Sequence, residues 1–390
     1  MKYHVNSHRS TTLYTISVIS FFLSLHIALP AYFNSSFLGT FVNERNLSLI
    51  YIIQSVITII GLLSMHTILR RFGNYRTALT LIGIQLAVFY TIINVHSITF
   101  IAPLIILALS IAALIAFTLD IFLEKNTDTE NTGAIRGRYM TVSNSAWVLG
   151  PLIGGMLIIG TNYKGVYVAA FGLLFPLFYI IHRNFSKFVD PHYPRISLSK
   201  AFVSLLKNPD LSKLTIINIV LQTFYTWMAI YTPIYLYKNV GFSWSEISII
   251  LTIMLIPFVL IETPLGKLAD RRFGEKEIMA IGYIIMGIAT ICLGFIDQKN
   301  LALWAIALFV TRVGAAAAET MIETYFFKKI DPKDSEILSL FRITRPLSFF
   351  IAPLITLIGL IFVSNAYLFV IIGGLCIISL IPIALIKDTN

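Results

Sequence analysis

The sequence predicts an all-α integral membrane protein with twelve transmembrane helices in two six-helix bundles, and three observations predict it. Hydrophobic residues make up 57% of the 390-residue chain and charged residues only 12%, with a mean hydropathy of +0.83; soluble proteins carry about 25% charged residues. Uncharged apolar runs of about 18 residues or more, each long enough to cross a bilayer, recur from end to end. A short stretch, Arg70-Arg71-Phe72-Gly73, returns 201 residues later as Arg271-Arg272-Phe273-Gly274, so the second half reads as a copy of the first.

Taken in order, the apolar runs place spans at residues 12–33, 47–69, 76–95, 99–124, 138–160, 165–182, 213–237, 245–268, 277–296, 300–327, 336–363 and 366–386. The first contains His26 and Pro30 and lacks a small-residue cleavage site, so it reads as a retained span rather than a signal peptide. Twelve spans put both termini on one side. Of the 29 Lys and Arg, 22 fall at the termini and in the even-numbered connections, against Arg45, Lys164, Lys238 and Lys299 on the other side. That asymmetry predicts cytoplasmic termini and a multi-pass protein of the cell (plasma or inner) membrane. The formal charge of +10 is accounted for by this topology, and no nucleic-acid partner is expected. Cys292 and Cys376 lie inside apolar runs and form neither a metal spacing nor a disulfide framework.

The longest connection, residues 183–212, separates an N-terminal bundle at 1–182 from a C-terminal one at 213–390. Within it Leu198, Ala201, Phe202, Leu205 and Leu206 follow helical spacing, which predicts a short amphipathic helix along the membrane face. The repeat extends beyond the arginine stretch. Pro30 and Tyr32 answer Pro233 and Tyr235, and Lys125 answers Lys328, all at an offset of 203; Pro151-Leu152-Ile153 answers Pro353-Leu354-Ile355 at 202. Tandem halves of the same orientation are related about an axis along the membrane normal, with substrate near the midplane between them.

Two motifs sharpen this expectation. The charged turn from Pro264 to Lys276 carries Gly266, Asp270, Arg271, Gly274 and Lys276 between two spans. It resembles the signature loop of the major facilitator superfamily of transporters, found between helices 2 and 3 and again between 8 and 9. The upstream copy departs from the pattern, with Met65 for the glycine and Leu69 for the aspartate. Span 5 reads Gly137-x8-Ala146-x3-Gly150-Pro151-x2-Gly154-Gly155, which resembles the antiporter motif of twelve-helix drug–proton antiporters, with Ala146 in place of one glycine. Physically, its small residues permit close helix packing and Pro151 permits bending.

The remaining candidates are polar groups inside spans, where polarity is expensive. Arg312, Glu319 and Glu323 share one helical face, beside the smooth patch Gly314–Ala318; Arg342 and Arg345 lie at similar depth on span 11. Two readings stand open: a carboxylate–arginine network coupled to proton movement, or ion pairs that hold helices in register or form a gate. Asp120, one turn before Glu124, is the counterpart of Glu323 and faces Arg138 as a candidate partner. A cavity lining is expected from His26, Asn34, Gln54, Asn144, Trp147, Asn218, Gln222 and Tyr225, while Tyr32 and Tyr235 suit either that lining or an interfacial aromatic belt. His26 is a coupling candidate because an imidazole titrates near neutral pH.

No nucleophile–base elbow, phosphate loop or metal-ligand cluster is present in the sequence, so neither an enzyme nor a cofactor nor a metal is expected. The resemblance implies secondary active transport by alternating access: a monomer in the lipid bilayer that moves a small-molecule substrate, with proton-coupled export of a small amphipathic compound as the leading expectation. The alternatives are a proton-coupled uptake carrier for a polar metabolite, and a receptor or scaffold of the same fold that no longer transports.

Overall fold

The apolar stretches fold as helices, and helices are the only regular secondary structure among the residues that the computed structural model describes: 2–126, 132–193, 198–261, 264, 274–330 and 335–387. In the first half these are α1 (Lys2–Ala31), α2 (Asn34–Leu38), α3 (Glu44–Phe72), α4 (Asn74–Asn94), α5 (Ile98–Asn126) and α6 (Thr132–Phe185). In the second they are α7 (Leu198–Lys207), α8 (Pro209–Tyr235), α9 (Trp244–Leu260), α10 (Glu275–Leu293), α11 (Leu301–Lys329), α12 (Ser335–Phe362), α13 (Tyr367–Ile378) and α14 (Leu380–Ala384). Eleven segments are long and apolar enough to cross a membrane, and α9 is a shorter apolar helix. The sequence that follows α9, including Glu262, Gly266, Asp270 and Arg271, lies outside the described residues.

Capping accounts for several boundaries. Asn208 accepts the Leu211 N–H at 3.2 Å and Asn300 accepts the Leu303 N–H at 3.1 Å, opening α8 and α11. Ser243 and Glu246 form a reciprocal capping box at the start of α9. A π-helical turn, Leu236–Val240, continues α8, and Gly241, with φ +82°, takes the left-handed conformation that ends it.

Contacts divide the chain into two compact units, Met1–Phe41 with Val56–Arg195 and Val42–Ser55 with Ile196–Asn390. In the first, α1 packs along both apolar segments of α6, Tyr139–Ile159 and Tyr163–Phe185. The contacts Ser20–Ser143, Ala28–Gly150 and Phe33–Gly154 advance together along α1 and the first segment. His26–Ala170 and Asn34–Tyr167 run the other way, so the chain reverses between the two segments. A Cβ on Gly150 would sit 2.7 Å from the Ala28 Cβ, and one on Gly154 would strike the Phe33 ring. The small residues of the span-5 motif therefore admit α1 at backbone distance.

In the second unit α8 and α12 run parallel and are joined by hydroxyls and an indole. Asn218 donates to Thr344 Oγ1 at 2.9 Å, Thr226 meets Ser348 at 2.6 Å, and Trp227 Nε1 donates to Thr356 Oγ1 at 3.0 Å. Helices α10 and α11 cross at two glycines: a Cβ on Gly314 would lie 2.5 Å from Gly282 O, and one on Gly282 would lie 2.7 Å from Gly314 O. The expected smooth patch is thus a crossing point, with Ala315 to Ala318 buried beside it. At one end of this unit, carbonyls near the C-terminus collect donors: Lys213 reaches Leu385 O at 2.6 Å, Lys276 reaches Ala384 O and Ile386 O at 2.8 and 3.0 Å, and Tyr325 reaches Lys387 O at 2.8 Å. Cations suit the terminal carbonyls of a helix. Beside them the buried Glu275 of the first turn of α10 pairs with Lys328.

The connection between the halves is held on each side. Residues 186–193 fold onto the first unit, with Phe188 and Tyr193 packed against the cluster of Met65, Leu69 and Ile121. The amphipathic helix expected from the sequence is α7; it packs on α8 and α12, with Leu205 buried and Phe202, Val203 and Leu206 exposed.

Candidate transport site

Within the second unit, one polar group on α11 stands out for its partners. The Tyr225 hydroxyl of α8 lies 2.8 Å from Glu319 Oε2 and 3.2 Å from the Ala315 carbonyl. Next to it, the Arg312 guanidinium lies 5.0 Å from the Phe224 ring centroid and 5.4 Å from that of Tyr225, at cation–π distance from both. Arg312 is 2% exposed. Phe258 of α9 closes on the Tyr225 ring edge at 5.7 Å. Among the described residues Glu319 makes no direct ion pair. The seven-residue spacing from Arg312 to Glu319 thus brings the two to one locality, through an aromatic side chain of the neighbouring helix.

Other candidates on these helices are placed differently. Asn218 is buried on Thr344 and holds α8 to α12, whereas Gln222, one turn along, is half-buried. Glu323 and Arg342 are half-buried, and Arg345 is exposed. Gln54 is buried within the Val42–Ser55 segment that clusters with this unit.

The first unit holds a second polar cluster. His26 Nδ1 lies 2.8 Å from the Ala170 carbonyl, so it carries the hydrogen; Nε2 then accepts from the Gln85 amide at 3.0 Å. The same amide donates to Ala108 O at 3.1 Å, which fixes its orientation. One chain of hydrogen bonds therefore ties α6, α1, α4 and α5, with His26 neutral between two partners. Asn34 accepts the Tyr167 hydroxyl at 2.6 Å. Asn34, Tyr167, His26 and Gln85 line a cavity of about 20 Å³, room for one water. Asn144 and Trp147 lie half-buried on α6, with the Trp147 ring edge-on to Tyr32 at 6.4 Å. Asp120 is half-buried near the end of α5, and the Arg138 side chain lies outside the described residues. Of the signature loop only Gly274 is described among the four residues singled out, as the N-cap of α10. Gly150, Pro151, Gly154 and Gly155 are all buried in α6.

Sequence reasoning missed Gln85, Tyr167, Thr344 and Ser348. Gln85 carried a signal, since an amide in the middle of an apolar span needs a partner. Hydroxyls carry less, because Ser and Thr satisfy themselves on their own helix backbone.

An all-helical chain with this many membrane-length apolar segments, and with charged groups held inside its bundles, is a multi-pass membrane protein. Residues 214–390 match the family model described as Major Facilitator Superfamily. The match supports a transporter of that superfamily, and the helices are consistent with its fold. Members are generally transporters rather than enzymes. No curated protein matches the chain.

Proposed function

We propose that the protein is a secondary active transporter that exports a small amphipathic compound in exchange for protons, with Glu319 as the group that takes the proton. The observation that carries this reading is the Tyr225 hydroxyl, poised between Glu319 and the Ala315 carbonyl. With Glu319 ionised, the phenol donates to the carboxylate. With Glu319 protonated, the acid donates to the phenol oxygen while the phenol hydrogen turns to Ala315 O. Both states keep their hydrogen bonds, so gain and loss of the proton leave no buried polar group stranded. Arg312, held against two aromatic rings, supplies a fixed positive charge that either state must answer. The export direction is supported by the glycine–proline motif that seats α6 on α1. The charge distribution supports cytoplasmic termini, and a single chain carries every group this mechanism uses.

The test uses purified protein in liposomes with an internal pH dye, challenged with lipophilic cations, sugars and carboxylates. Compound-dependent proton movement that disappears in Glu319→Gln is the expected result. Compound flux without proton movement would retain the carrier and remove Glu319 from its role.

A further inference from the structure

We propose a separate binding site for a small organic ammonium ion at the end of the second unit remote from Lys213 and Lys276. It does not rest on the proton-coupling reading. The distance follows from α8 itself: the 22 residues from Lys213 to Tyr235 rise about 33 Å.

Trp227, Tyr231 and Tyr235 recur every four residues on α8 and so share one face. Together with Glu44, Asn239 and Asn365 they line one recess, with a cavity volume of about 20 Å³. The Glu44 carboxylate is fixed there by the Asn365 amide, which donates to Oε1 at 3.1 Å. Ser48, one turn along α3, accepts or donates at 2.7 Å to the Tyr231 hydroxyl and orients that ring. Among the described residues Glu44 has no ion pair, and no Lys or Arg lines the recess. The site therefore presents one negative charge, two side-chain amides and three aromatic rings.

That set selects a class of ligand. A single carboxylate with two amides falls short of the six to eight oxygens a calcium site gathers. Aromatic rings attract an organic cation placed within about 6 Å of their centroids. The volume admits a head about the size of one water, such as a primary ammonium group, with its methyl or any longer tail outside. An anion would meet the Glu44 charge at close range, and a neutral solute would leave it unanswered.

Purified full-length protein is titrated with methylammonium chloride while tryptophan fluorescence is followed, with sodium chloride and methanol as parallel titrants. A saturable change with methylammonium alone is expected. In Glu44→Gln, which keeps an acceptor for Asn365 but removes the charge, binding should weaken at least tenfold. Asn239→Asp adds a carboxylate at an exposed position and should tighten it; it reports even if Glu44→Gln does not fold. Glu319→Gln should bind as the wild type does, so loss of proton coupling and loss of this site are separable. Absence of a saturable change, an equal change with sodium, or unaltered affinity in both Glu44→Gln and Asn239→Asp would overturn the proposal.

Discussion

The Asp190 carboxylate accepts the backbone N–H of Asn74 at 2.7 Å, capping α4 from a segment 116 residues away. It also accepts the Tyr193 hydroxyl at 2.6 Å. The cap sits on the upstream copy of the signature loop, the copy in which Leu69 stands where the downstream one has Asp270. Gly73 takes φ +75°, and a Cβ there would run into the Asp190 carboxylate. Asp190→Ala removes a cap and should lower stability by about 1 kcal/mol. Gly73→Ala should cost more, because it adds backbone strain to a collision with the capping group. Thermal unfolding of the two variants in one detergent checks the order.

The same contact carries a pH dependence. Burial, then the hydrogen bond to Asp190 and its charge, push the Tyr193 phenol well above its ordinary range. Because the folded value is raised, the contribution is complete below the ordinary phenol pKa of about 10 and fades as pH rises beyond it. Wild type should therefore lose stability above pH 10 more steeply than Tyr193→Phe, and unfolding curves from pH 8 to 11 read the difference.

At the α10–α11 crossing the backbones touch at Gly282 and Gly314, leaving no space for a side chain. Gly314→Val should separate the helices and lower stability by about 1–3 kcal/mol, the usual cost of overpacking. Gly83, with nothing within 4 Å of its added Cβ, is the control: Gly83→Ala should be neutral or slightly stabilising, as expected for alanine within a helix.

Tyr225→Phe tests the proposed proton relay without altering the charges around it. The ring remains, so Arg312 keeps its aromatic neighbour, but Glu319 loses its 2.8 Å hydrogen bond. A bond to a charged group is worth about 1.5–3 kcal/mol, so proton-coupled flux should fall about tenfold or more while substrate binding changes little.

What the sequence made legible follows from which forces act locally. Helix number, the smooth patch at Gly314–Ala318 and the amphipathic α7 were readable because hydropathy and period are properties of a continuous stretch. The grouping of Arg312 with Glu319 was readable for the same reason, since seven residues make two turns of one helix. The partners of these groups were not. Tyr225 lies 94 residues from Glu319 and Gln85 lies 59 from His26, and such pairings depend on packing that no local period encodes. Asp190 escaped notice because its segment reads as a polar linker, and only the folded chain shows it reaching the start of α4.

His26 provides the sharpest division between a structural and a coupling role. Its two nitrogens are both engaged, Nδ1 by Ala170 O and Nε2 by the Gln85 amide, and that amide is also committed to Ala108 O. A second proton on the ring would point at a donor, so taking it up means breaking the link between α1, α4 and α5. Gln85→Leu removes the donor and strands two buried acceptors, which should cost about 1–3 kcal/mol. It should lower the unfolding temperature and leave the pH profile of transport in place. Glu319→Gln should do the reverse, flattening that profile with little loss of stability. If instead Gln85→Leu moved the midpoint of the profile, the proton would be entering through His26, and the first unit would hold the coupling group.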